Sequence, residues 1–330
     1  MEEPKHVLAA PAHPDPYPWY ARQRVSRPIH FDAGMGLWVV SGPYLVDQAL
    51  RQPLLRVRPP AEPVPHALQG RSVGEVFSLL VRMNDGEFHA RHRPEVETVV
   101  MRFDGDSVAA AAEAATRDLQ PRCDANALLS AIPVQAMARL LGVAPEERDR
   151  TVAWVHDFTQ GIAPAASPEA IDRADLAARA LMDQGEREGL SRVRAANRIA
   201  CMQQAVDATA GLLGNAIGAA LAEGGDEDAH TLVARVARTD PAIHNTRRFA
   251  AADLELGGEH IAAGQGLVLV LVPSCAFGAG AHACPGERIA LQIAATALHA
   301  LRQHAPLART FGRVAGYRPL PNARVPLFTA

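Results

Sequence analysis

Phe277-Gly278-Ala279-Gly280-Ala281-His282-Ala283-Cys284-Pro285-Gly286-Glu287-Arg288 is the most chemically specific stretch of this chain. Its glycines permit an open, tightly turned backbone. The next residues, Glu287–His304, repeat apolar side chains at helical spacing and predict a final amphipathic helix. Cys284 therefore stands just before a helix N-terminus, where first-turn N–H groups and the helix dipole face its sulfur and favour the thiolate. A thiolate so placed suits a nucleophile or an axial metal ligand. As a nucleophile it needs a base. His282 is only two residues away, but neighbours two apart in an extended loop tend to point in opposite directions. A buried, unreactive cysteine is the third reading.

Working outward, Gly264-Gln265-Gly266 leads into a fully apolar strand over 267–272. Before it, Asp253-Leu254-Glu255-Leu256, Gly257-Gly258 and Glu259-His260-Ile261 predict a β-hairpin with a glycine turn. Near the start, Gly36-Leu37-Trp38-Val39-Val40-Ser41-Gly42 reads as another short strand. The rest is helical in pattern. Val73, Val76, Phe77 and Leu80 share one helix face, and further helices are predicted over 107–119, 133–141, 145–160 and 168–184. The longest periodic segment spans 191–222 without a proline. Its middle, Gln204-Ala205-Val206-Asp207-Ala208-Thr209-Ala210-Gly211, is small and carries one carboxylate, which admits a bulky group against the backbone or close helix packing. The expectation is a mainly α fold with a small β portion, residues 1–330 forming one domain without internal repeats.

The 330 residues are 48% apolar and 21% charged with a net charge of −3, enough for a large core and without the basic excess of a nucleic-acid binder. Cys123, Cys201, Cys275 and Cys284 form no C-x-x-C pair, which argues against a zinc ribbon, a redox dithiol or a disulfide framework. The N-terminus lacks an apolar signal core, and no window approaches the roughly 18 apolar residues of a membrane span. A soluble cytoplasmic protein with neither nucleic-acid nor membrane partner is expected.

Phe277, Gly280, His282, Cys284 and Gly286 fill every fixed position of F-x-x-G-x-[HR]-x-C-x-G, and on this motif the sequence resembles the cytochrome P450 family. The resemblance implies the P450 fold in a shortened form and a haem b cofactor (iron protoporphyrin IX). Cys284 would be the proximal thiolate on iron, with Phe277 and Gly278 beside the haem and His282 on a propionate. Asp15-Pro16-Tyr17-Pro18-Trp19-Tyr20 is similar to the start of bacterial members. His89-Ala90-Arg91-His92-Arg93 is similar to the family's H-x-x-x-R segment, and at i, i+4 His89 and Arg93 reach one propionate. Pro94 is expected to cut the helix there. Thr246-Arg247-Arg248-Phe249 assigns the other propionate to Arg248.

Three departures accompany the resemblance. In the long central helix Asp207 stands at the family's acid, Ala208 at its threonine, and Thr209 one position late, about 100° around an unbroken helix. Arg235-Val236-Ala237-Arg238 stands at the E-x-x-R pair, so its glutamate is absent. Only Pro273-Ser274-Cys275-Ala276 separates the 267–272 strand from Phe277, where the family carries a longer meander. The implied activity is a haem-thiolate monooxygenase. Asp207, Ala208 and Thr209 would lie at its oxygen site, a ferredoxin- or flavodoxin-type donor would supply electrons, and the substrate would be a small or medium organic molecule. Segments 59–81 and 158–190, with Phe77, Phe158 and Met182, are expected to build an apolar pocket. Ala208 also admits a peroxide-using or non-oxygenase haem enzyme, and the lost glutamate a haem-binding pseudoenzyme.

Overall fold

In the computed structural model, which describes residues 2–224 and 227–329, the β portion comprises β1 (Ile29–Asp32), β2 (Leu37–Val40), β3 (Leu55–Arg56), β4 (Asn245–Ala250), β5 (Leu254–Leu256), β6 (Glu259–Ile261), β7 (Gly266–Val270), β8 (Arg313–Tyr317) and β9 (Pro326–Thr329). The helices are α1 (Tyr17–Ser26), α2 (Pro43–Arg51), α3 (Ser72–Leu79), α4 (Gly86–Met101), α5 (Gly105–Leu119), α6 (Ala125–Leu140), α7 (Arg148–Gly161), α8 (Pro168–Arg187), α9 (Arg192–Gln203), α10 (Ala208–Glu223), α11 (Ala229–Thr239), α12 (Glu287–His304) and α13 (Leu307–Phe311).

The apolar run after Gly266 becomes the centre of a five-stranded sheet ordered β1-β2-β7-β4-β3. All of β7 is buried, parallel to β2 and antiparallel to β4, as expected of a strand with no polar side. β5 and β6 form the predicted hairpin. Among the helices, α5, α6, α7, α8, α10 and α12 close around one core that includes Leu128, Ile132, Leu213, Ile217 and Leu298. Several start where an acid or serine caps a free N–H: Asp104 on Ser107, Asp124 on Ala127, Ser167 on Ala170 and Ser191 on Arg194. The Asp124 cap explains why α6 begins eight residues before the predicted start at Pro133 and carries that proline inside it. Pro94 likewise lies within α4, which continues to Met101, so the expected break after Arg93 is absent.

The segment predicted as one long helix is two. Between α9 and α10 the amides of Ala205 and Val206 bond three residues back, to Met202 and Gln203 at 3.1 Å, and the Ala210 amide bonds five back, to Ala205 at 3.4 Å. The ladder tightens and then widens, with the interruption at 204–207. Contrary to the composition reading, Arg192–Glu223 does hold an 18-residue window of mean hydropathy 1.3, long and apolar enough to cross a membrane. The fold buries 61% of that window inside the protein, as befits a core helix. The small residues of α10 serve close packing: a Cβ on Gly211 would lie 2.6 Å from the Arg324 carbonyl, and one on Gly214 2.6 Å from Pro326.

A buried polar knot ties the chain ends together. Arg324, 3% exposed, donates to Asp240 at 2.8 Å and to the carbonyls of Pro11, His13 and Pro14. Beside it His244 is fully buried against Tyr17 and Tyr20, with Tyr20 Oη 3.0 Å from Nδ1. Burial, and then the Arg324 charge, push its pKa down to about 3. Folding therefore keeps His244 neutral, and its contribution is complete above the unfolded value near 6.5 and is lost as pH falls towards 3. Urea unfolding should show this group costing about 2 kcal/mol between pH 7 and 5, a slope that His244→Phe removes. An unchanged slope in the variant would contradict the assignment.

Candidate functional site

The loop before α12 is shaped by two glycines with left-handed backbone, Gly278 at φ +70° and Gly280 at φ +69°. A Cβ on Gly280 would sit 2.7 Å from the Leu50 carbonyl of α2, so neither conformation nor space admits another residue. The turn closes when the Cys284 amide bonds the Phe277 carbonyl at 2.8 Å. Phe277 packs on the main core. A Cβ on Gly286 would lie 4.0 Å from Cys284 Sγ, an ordinary contact distance, so Gly286 borders the sulfur directly.

Cys284 is exposed along a cleft of about 600 Å³ that α11 lines with His230, Val233 and Ala234, and α12 with Leu291 and Gln292. Protein atoms still crowd its sulfur, and burial, joined by the Glu287 carboxylate, pushes the thiol pKa up against the pull of the Gly286 amide and the Arg93 cation. The direction is opposite to the one expected from the helix terminus, and a metal bound to the sulfur would favour the thiolate.

Two tethers fasten the loop to α4. Arg93 Nη2 donates to the Ala283 carbonyl at 2.5 Å while its Nε donates to Glu97 at 2.7 Å. His282 Nε2 lies 2.9 Å from Asp85 Oδ1, and Asp85 Oδ2 accepts the Val57 amide at 2.9 Å. Burial raises the Asp85 pKa, but these hydrogen bonds outweigh it and hold the carboxyl below its usual range. Asp85 has no counterpart among the predicted site residues; its only signal in the sequence is an acid immediately before a helix. His89 packs its ring 4.3 Å from that of His282, and its buried Nε2 has no partner among the described residues. Burial, then His282 and Arg93, depress its pKa. Arg248, 4% exposed on β4, bonds only Thr246 Oγ1 and the Arg247 carbonyl among the described residues, although it feels the charge of Asp85.

The structure thus gathers His89, Arg93, His282 and Cys284, with Arg248 near Asp85. Asp207, Ala208 and Thr209 stand apart: no hydrogen bond or ion pair among the described residues joins them to this cluster. Asp207, at the helix interruption, pairs with Arg318 at 3.0 Å, and Thr209 is buried in the first turn of α10. The predicted pocket residues are core instead, with Phe77, Phe158 and Met182 exposed by 2%, 0% and 7%. At the lost glutamate, Arg235 is satisfied by Glu223 and Glu227 at 2.6 and 2.7 Å, while Arg238 is exposed.

Solved structures share this architecture almost end to end. CalO2 superposes with a TM-score of 0.77 at 20% identity, covering 98% of both chains. P450BioI, crystallised with hexadec-9Z-enoic acid ligated acyl carrier protein, gives 0.76 at 18%, covering 96% of this chain and 99% of that one. The chain has the cytochrome P450 fold. The P450 heme domain of Tepidiphilus thermophilus also superposes with a TM-score of 0.76, at 16% identity, covering 99% of this chain and 94% of that one. No protein-family model and no curated protein matches the sequence.

For a P450 fold the group to test against these residues is haem, which carries an iron and two carboxylates. The donor set fits it. Cys284 supplies a soft ligand and, among the described residues, Arg248 is a buried cation bonded only to neutral oxygens and His89 Nε2 a buried nitrogen lacking a partner. Asp85→Asn should cost about 1.5–3 kcal/mol of folding stability in urea titrations, because it weakens a charge-assisted bond at the loop. A loss under about 0.5 kcal/mol, on the scale of an ordinary surface change, would mean the tether is not formed.

Proposed function

We propose that this chain is a haem-thiolate monooxygenase acting on a small or medium organic substrate, as one soluble cytoplasmic domain. What carries the reading is Cys284 at the head of α12 in a P450 fold, its loop tied to α4 by Arg93 and His282. Cys284 would ligate the iron, with Phe277, Gly278 and Gly286 along the loop. His89 and Arg93 would take one propionate, Arg248 the other, and His282 would support the first from its Asp85 bond. Bound there, haem b would supply dioxygen activation and oxygen insertion.

The remaining work falls to this chain. We assign the proton relay to Asp207, which lies part-exposed at the helix interruption and is held by Arg318 at 3.0 Å. Thr209 and Ala208 would flank that route. Electrons would come from a ferredoxin- or flavodoxin-type protein, and the cleft that bares Cys284 beside α11 makes a docking face there short of covering protein. Ala208 favours a second reading, a peroxide-driven haem-thiolate enzyme, since no hydroxyl stands at that position; turnover with hydrogen peroxide exceeding turnover with donor and dioxygen would select it.

Cys284→Ser should abolish the thiolate-type absorption band of the reduced carbon monoxide adduct without unfolding the protein. If the band persisted, the ligand would have to be another sulfur, Cys275 first.

A further inference from the structure

A cavity of about 350 Å³, separate from the cleft at Cys284, opens between α10, α11 and β8. α10 lines it with Gly218 and Ala222, α11 with Val236 and Thr239, and β8 with Val314 and Tyr317. Ala222 is exposed and so lies at its solvent side. Beyond its own helix, a Cβ on Gly218 would meet only Val314 Cγ2, at 3.1 Å, whereas one on Gly211 or Gly214 would meet several atoms. Packing covers α10 at those two glycines and leaves it bare at Gly218. Tyr317 is a fixed wall, with the Arg324 guanidinium 3.5 Å from its ring centre. The volume falls in the roughly 300–1,000 Å³ range of small-molecule sites.

The polar groups around this space select its occupant. Asn215, 5% exposed, also borders the cavity. Its Nδ2 donates to the Asp240 carbonyl at 2.8 Å, which fixes the amide and leaves Oδ1 buried without a donor among the described residues. A buried acceptor left unpaired costs free energy that a donated hydrogen bond recovers. Thr239 spends its own proton on the Arg235 carbonyl at 3.1 Å, so its hydroxyl faces any ligand as an acceptor. The charges here are already matched, Arg235 by Glu223 and Glu227 at 2.6 and 2.7 Å and Asp240 by Arg324 at 2.8 Å. An ionic ligand would have to break one of these pairs, and a purely apolar one would leave Asn215 Oδ1 unpaired.

We propose that this cavity is a second binding site, which takes a small neutral alcohol with an apolar body and donates the ligand hydroxyl to Asn215 Oδ1. Gly218, Val236, Val314 and the Tyr317 ring would cover the apolar body. α11 stands between the two spaces, lining the cleft at Cys284 with Val233 and Ala234 and this cavity with Val236 and Thr239. Binding here needs neither haem nor turnover and stands apart from the monooxygenase reading.

The test is calorimetric titration of the purified full chain with cyclohexylmethanol and 4-propylphenol, each against its methyl ether, which keeps the body and lacks the donor. Wild type should bind at least one of the two hydroxyl compounds about ten-fold tighter than its ether. Ala222→Phe, a change at an exposed position that fills the cavity from its solvent side, should weaken that binding about ten-fold with the melting temperature unchanged. Asn215→Ala should bind alcohol and ether within about three-fold of each other, and if it fails to fold, Ala222→Phe alone decides the location. Equal binding of alcohol and ether by wild type, no binding of either alcohol, or binding that Ala222→Phe leaves intact would each overturn the proposal.

Discussion

The pair of polar tethers from α4 to the cysteine loop is the constraint on which the rest of this site depends. A loop built from glycine and alanine has little surface with which to hold itself, and its residues are mostly half-exposed. Arg93 reaching the Ala283 carbonyl and Asp85 reaching His282 fix it on the approach to the cysteine. Bonds to charged groups are the stronger kind, and two of them on neighbouring residues leave the backbone at Cys284 little freedom. The head of α12 is thus placed relative to α4 by electrostatics, and relative to α5, α10 and α11 by apolar packing.

Electrostatics also gives the interior its character. Around the loop, Arg93 and His282 are matched by Glu97 and Asp85, whereas Arg248 and the Nε2 of His89 have no anion among the described residues. Such groups are rare in protein interiors because each one carries an uncompensated desolvation cost. In the proposed reading, Arg248 and His89 Nε2 are the groups that the carboxylates of a bound haem would satisfy.

Much of the architecture is legible in the sequence because it rests on local rules. The hairpin at 254–261, the buried strand after Gly266 and the helix Glu287–His304 arise from glycine turns, an unbroken apolar run and helical periodicity, and the cysteine motif points to the same fold. The illegible part depends on partners distant in sequence. The interruption at 204–207 contains no proline or glycine to announce it, and α10 sits where Arg324 and Pro326 press on Gly211 and Gly214. Pro94 and Pro133 read as helix boundaries, but tertiary packing keeps both inside helices. Apolarity alone assigns Phe77, Phe158 and Met182 to a pocket, and it cannot tell a cavity wall from a core. A place at a helix terminus favours ionisation of Cys284, while crowding of the sulfur, which no sequence window shows, pushes its pKa the other way. Asp85 and Arg318 matter only through partners, His282 and Asp207, that no sequence window brings beside them.

The proposed sulfur–iron bond at Cys284 underlies every functional role given to these residues. Titration of the purified chain with hemin, monitored by visible absorption, tests it most directly. Saturation at one hemin per chain, with the spectrum of cysteinate-ligated ferric haem, is the predicted result. Uptake that never saturates, or protein that remains colourless after removal of free hemin, would contradict it.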